Sequence, residues 1–114
     1  MTIQRFGTTQ RYSDAVVHQG TAYIVEVPSN PDDDITAQTK NLLDSTERLL
    51  KQAGSDKTRL LQVTLYLADM NDYDAMNAVW DNWLVAGTAP VRACVQARLA
   101  NPKYKIEIVL VAAV

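Results

Sequence analysis

The chain has 114 residues, 47% apolar and 21% charged, with eleven Lys and Arg against thirteen Asp and Glu for a formal net charge of −2. That length fits one domain, 1–114, with a modest core, and without a basic cluster nucleic acid is not an expected partner, since backbone phosphates need several Lys and Arg on one face. One cysteine allows no internal disulfide and suits a reducing compartment. No apolar run approaches the roughly 20 residues of a membrane span, and the N-terminus lacks the basic-then-apolar pattern of a secretion signal. The expectation is a cytoplasmic, soluble protein with no membrane partner.

In chain order, residues 2–6 read as a short strand ended by Gly7, and 11–14 as a loop. Residues 15–18 and 21–27 are the second and third strands, the latter rich in β-branched and aromatic side chains. The gap Gln19-Gly20 should join them as a hairpin. Pro28 cannot donate to a ladder and ends the third strand. Asp32, Asp33 and Asp34 then stand before a helix, where carboxylates suit the positive end of its dipole, with Asp34 as N-cap. Three consecutive carboxylates cannot all face one ion, so no metal site is expected here.

The first helix spans 35–53. Ile35, Leu42, Leu43, Thr46, Leu49, Leu50 and Ala53 follow the spacing of one buried stripe, and Gly54 stands at the C-terminal cap. Residues 59–68 form the strongest strand, with Leu61, Val63, Leu65 and Leu67 on one face and Leu60, Gln62, Thr64 and Tyr66 on the other. The second helix should begin near Asn71, where Asn71-x-x-Asp74 has the form of a capping box. Tyr73, Met76, Val79, Trp80 and Trp83 make its apolar stripe, with Asn77 close by. Residues 90–99 are the fifth strand, Val91, Ala93, Val95, Ala97 and Leu99 pointing one way and Arg92, Cys94, Gln96 and Arg98 the other. Asn101-Pro102 is a turn, and 105–114 the last strand.

The order β-β-β-α-β-α-β-β argues an α+β fold, a single sheet with two helices on one face. The uncovered face is expected to carry Gln62, Thr64, Tyr66, Cys94 and Gln96, joined by Val109 and Val111. A half-apolar surface of this kind marks a subunit interface, so a homo-oligomer is expected, such as a ring-shaped trimer. Clefts where subunits meet are common ligand sites.

Two residues carry the chemistry. Arg92 and Glu107 place a permanent cation and a carboxylate inside apolar, strand-like sequence. An ion there is costly unless paired. Either Arg92 binds a small acidic ligand while Glu107 handles a proton or a water, or the two form a salt bridge between strands. Cys94, two residues after Arg92, is a buried structural thiol or a nucleophile activated by the cation. His18 has no metal-spaced partner. Tyr12 sits in a loop whose hydroxyl could reach a neighbouring pocket. Glu26 is a pocket carboxylate or an edge charge that discourages sheet pairing. No glycine-rich phosphate loop or nucleophile elbow is present.

The stretch Pro90-Val91-Arg92-Ala93-Cys94-Val95, the following Lys105-Ile106-Glu107-Ile108, the helix start 71–77 and the long strand within 56–69 together resemble the RidA family, also called YjgF or RutC-like, from Arg11 onward. The resemblance implies a chorismate-mutase-like fold and a homotrimer with a central β-barrel and clefts between subunits. It implies hydrolytic deamination of 2-enamine and 2-imine acids, such as 2-aminoacrylate and 2-iminopropionate, to 2-oxo acids and ammonia, with no cofactor and no metal. Arg92 takes the place of the family's carboxylate-binding arginine, Glu107 of its water-positioning glutamate, and Cys94 of its cleft cysteine. Tyr12 and Asn77 match its loop tyrosine and helix asparagine. Ile24-Val25-Glu26 departs from the family's Ser-Gly-Gln, which would add an acid near the site. The alternative is a module that binds or senses a small 2-oxo acid, or a related metabolite, without turnover. A further alternative is a chaperone-like oligomer in which Arg92 and Glu107 merely pair.

Overall fold

The computed structural model describes residues 2–114. Its strands are β1 Gln4–Phe6, β2 Ala15–His18, β3 Thr21–Glu26, β4 Leu60–Leu67, β5 Val91–Gln96 and β6 Ile106–Ala113, and its α-helices are α1 Ile35–Gln52 and α2 Tyr73–Trp83. One six-stranded sheet runs in the order β1-β2-β3-β6-β4-β5. The β2–β3 hairpin turns at Gln19 and Gly20, whose φ of 51° and 77° are the left-handed pair that a two-residue turn requires. The only parallel pair among the described residues is β4–β5. It is parallel because α2 carries the chain back to the starting end of the sheet.

Helix α1 starts where Asp34 accepts a hydrogen bond from the Ala37 N–H at 2.9 Å. Its stripe Leu42, Leu43, Thr46 and Leu50 is fully buried. Together with Met76 and Trp80 of α2 it covers Ile24, Val63, Leu65, Leu67, Ile106, Ile108 and Leu110 of the sheet. Each such aliphatic side chain contributes about 1.5–3 kcal/mol on burial. The burial of β6 alternates strictly, so one sheet face is covered and the other is bare.

Four expectations are corrected. Leu61 does not share a face with Val63. The pairing of β4 with β6 slips between Leu60 and Gln62, a bulge that inserts one residue, so Leu60 is buried and Leu61 is 49% exposed. The second helix is not opened by Asn71-x-x-Asp74. A 3₁₀ turn at Met70–Asp72 comes first, capped by Asp69 accepting from the Asn71 N–H at 2.9 Å, and α2 begins at Tyr73. The fifth strand ends at Gln96 rather than Leu99.

The last correction concerns the faces of β5. Its register pairs Val63 with Arg92, Leu65 with Cys94 and Leu67 with Gln96, and paired residues share a face. Arg92, Cys94 and Gln96 therefore stand on the helix-covered side. The bare face carries instead Val91, Ala93 and Val95 beside Gln62, Thr64 and Tyr66 of β4. Val109 and Val111 lie there as expected, opposite Val25 and Tyr23 of β3. Val91, Val95, Val25 and Tyr23 are all exposed.

Candidate active site

β5 is an edge strand. Its backbone can be oriented from one contact: the Ala97 N–H donates to the Leu67 carbonyl of β4 at 3.0 Å. Peptide groups alternate sides along a strand. The N–H and C=O of Arg92, Cys94 and Gln96 therefore point away from β4, toward the free edge. Gln96 also fixes the entry to α2, its Oε1 accepting from the Met70 N–H at 2.8 Å.

From that strand the Arg92 side chain reaches α2. Its Nη1 donates to Asn77 Oδ1 at 2.7 Å and its Nη2 to the Tyr73 hydroxyl at 3.1 Å. The guanidinium carbon lies 5.6 Å from the centre of the Trp80 ring, within reach of a cation–π attraction. It lies 5.8 Å from the Tyr73 ring centre. There the phenol points its oxygen at Nη2, so that contact is a hydrogen bond rather than stacking. Tyr73, Asn77 and Trp80 stand at i, i+4 and i+7, one helical stripe. That spacing was visible in the sequence. In the sequence Tyr73 and Trp80 read only as an apolar stripe, because nothing there says that a cation on β5 faces them.

All these partners are neutral. The ion pairs among the described residues are Lys51–Glu47, Lys57–Glu47 and Lys103–Asp32, and none includes Arg92. A guanidinium has five N–H groups, and among the described residues only two of Arg92's are matched to acceptors. The side chain is half-buried, held by two hydrogen bonds, and short of a counter-ion.

Glu107 does not supply one. It pairs in register with Tyr66 and lies on the bare face. Arg92, on the covered face, is level with Val63 and Leu110. The two backbones are thus separated by roughly 10 Å across the strands and roughly 10 Å along them, with side chains pointing to opposite sides. The Arg92–Glu107 salt bridge expected as an alternative does not form within the chain. Burial pushes the Glu107 carboxyl above the usual range. Burial likewise raises the Cys94 thiol, and the Arg92 charge pulls it down by less. The Cys94 side chain packs against the core, which suits a structural thiol whose peptide group faces the edge.

Tyr12 and Glu26 are not brought to Arg92 in one chain. Tyr12, 62% exposed, sits between β1 and β2 at the opposite margin of the sheet. Glu26 shares the covered face of β3 with Ala22 and Ile24, and two strands, β6 and β4, lie between it and β5. Burial raises its carboxyl and Asp14 adds to that, while Ser45, the Val27 N–H and Arg48 oppose it. Ile24 is core and only Val25 reaches the bare face. Among the described residues no group of His, Cys, Asp and Glu is placed to hold a metal ion, and no helix is long and apolar enough to cross a membrane.

Comparison with known proteins places this geometry in a family. The profile described as Endoribonuclease L-PSP matches residues 2–114. A RutC family protein of Escherichia coli, YoaB, is 52% identical over 114 residues, covering 100% of both chains. The chain belongs to the YjgF/RutC family. A crystal structure of a YjgF family member from Neisseria meningitidis superposes with a TM-score of 0.93 at 45% identity, covering 99% of this chain and 95% of that one. More distant is the 2-iminobutanoate/2-iminopropanoate deaminase of E. coli, 28% identical over 94 residues, which cover 76% of this chain and 73% of the other. Members of this family thus share the single mixed sheet with two helices described above.

Proposed function

We propose that this YjgF/RutC family protein hydrolyses 2-imino acids, and the enamines that tautomerise to them, to 2-oxo acids and ammonia at sites completed between subunits of a cytoplasmic homotrimer. The observation that carries the proposal is the half-buried Arg92 guanidinium, hydrogen-bonded only to neutral partners. It suits a carboxylate, which accepts two parallel, charge-assisted hydrogen bonds from such a fork. The free peptide edge at Cys94 offers further polar contacts beside it. The 2-imino acid deaminase among the relatives supports the choice of substrate.

Arg92 and Glu107 of one chain face apart, so the carboxylate-binding cation and the base meet when the β5 edge of one protomer is seated on the bare face of the next. The neighbour then supplies Glu107, and the same seam is where its Tyr12 belongs. Water adds to the imine carbon as Glu107 takes its proton. That proton passes to nitrogen, giving a carbinolamine; its hydroxyl proton then moves by way of Glu107 to nitrogen as the carbon–oxygen double bond forms and the carbon–nitrogen bond breaks, and ammonia leaves the 2-oxo acid. The reaction is redox-neutral and these steps call on no cofactor. Positioning supplies much of the acceleration, and the raised pKa of Glu107 makes it a better base near neutral pH.

One observation favours a second reading. A single chain holds the cation without the base, which is all that a sensor of 2-oxo acids requires. A dehydratase that releases 2-iminopropionate, coupled to ammonia detection, separates the two. The wild type should speed ammonia release and Arg92→Ala should lose roughly tenfold or more of that effect. An Arg92→Ala protein as active as wild type would remove Arg92 from the site, and a wild type that binds 2-oxobutyrate without accelerating release would leave only the sensor.

A further inference from the structure

The Tyr73 hydroxyl is only half used. Its oxygen accepts from Arg92 Nη2 at 3.1 Å. Its own hydrogen has no acceptor among the described residues. The side chain is 37% exposed and lines an open hollow of ≈ 450 Å³ together with Met70, Asn71 and Asp74. A hydroxyl that accepts from a cation is polarised toward donating, because each hydrogen bond in a chain strengthens the next.

We propose that Tyr73 is a further ligand-binding residue, whose O–H donates to the carboxylate held by Arg92. The inference rests on the carboxylate reading of Arg92 given above. Three features support it. Tyr73 stands one helical turn before Asn77, so the same stripe that fixes Nη1 brings the phenol to Nη2. An anion taking two in-plane N–H groups of the fork lies within a few ångströms of an oxygen already bonded to that fork. And Tyr73 stays 37% exposed, whereas Trp80, 4% exposed, offers only a ring surface. Asn77 is the positioning residue in this scheme, because its oxygen is committed to Arg92. Tyr73 both positions the guanidinium and touches the ligand.

The test measures the Kd of 2-oxobutyrate and of its methyl ester for wild type, Tyr73→Phe, Arg92→Lys and the double variant. Tyr73→Phe keeps the ring and should weaken the acid roughly tenfold, weaken the ester far less, and lower the melting temperature by no more than the few degrees that one lost hydrogen bond costs. The Arg92→Lys background separates direct contact from mere support of the guanidinium. Direct donation predicts that Tyr73→Phe still weakens the acid there, although no Nη2 remains to be held. Loss of the Tyr73→Phe effect in that background, or equal weakening of acid and ester, would overturn the inference while leaving Arg92 as the carboxylate site. Arg92→Ala binding 2-oxobutyrate as tightly as wild type would instead overturn the reading on which the inference stands.

Discussion

At the scale of the residue, the site is an imbalance. Arg92 is ordered by Asn77, Tyr73 and Trp80 without being neutralised, and Glu107 is a carboxylate that its surroundings make reluctant to ionise. Both states cost free energy until a ligand or a partner completes them. The Glu107 shift has a working consequence. A base must be deprotonated to accept the water's proton, so turnover should be lost as pH falls through the raised pKa, at higher pH than an ordinary carboxylate would give. A kcat/KM profile against pH should show that acid limb. Glu107→Gln should abolish both the limb and most activity, by roughly a hundredfold or more. A profile flat through the carboxylate range in the wild type would remove Glu107 as the base. The two charged residues were legible in the sequence as chemistry, because an Arg and a Glu inside β-branched strands need an explanation. Their orientations were not legible.

At the scale of the element, α1 and β5 show why. The α1 stripe repeats at helical spacing between a capping Asp34 and Gly54, so its buried face follows from period alone. A strand's alternation says which residues share a face and not which face is covered. On β5 the oilier set, Val91, Ala93 and Val95, reads as core and is bare. Only the parallel register with Val63 and Leu65 puts Arg92 and Cys94 under α2. A bulge such as that at Leu61 has no sequence mark of its own. The start of α2 offers an element-scale test. Asp69, not Asn71, supplies a cap, and it caps the 3₁₀ turn leading into α2, which has no side-chain cap of its own, so Asp69→Ala should cost about 1 kcal/mol and lower the melting temperature by roughly 4 °C. Asn71→Ala should fall within about 0.5 kcal/mol of wild type. Thermal unfolding of the two proteins decides between the caps, and the reverse order of effects would restore the capping box.

At the scale of the whole molecule, the bare face is the dominant unexplained surface. Rows such as Tyr23–Val111–Gln62–Val91 and Val25–Val109–Thr64–Ala93 run across four strands with little charge, and such a patch calls for a partner surface. A second copy fits, because the patch and the open β5 edge lie on the same protomer and a head-to-tail contact between them can close into a ring. Light scattering behind a sizing column should give a trimer for the wild type. Val95→Lys should give a folded monomer with the proposed deaminase activity gone, since a lysine there is solvated in the monomer and would be desolvated in such a ring. A wild type that is monomeric at working concentration would contradict the assembly.

The central claim is that each site takes its cation from one chain and its base from the next. Subunit mixing tests this most directly. Arg92→Ala and Glu107→Gln proteins, each inactive alone, are refolded together in equal amounts and assayed for release of ammonia from 2-iminopropionate. Random trimers leave three quarters of the rings mixed, each with one intact site of three, so about a quarter of wild-type activity should return. If both residues served the same site from one chain, no mixture could rebuild it, and activity would stay at the level of the separate variants.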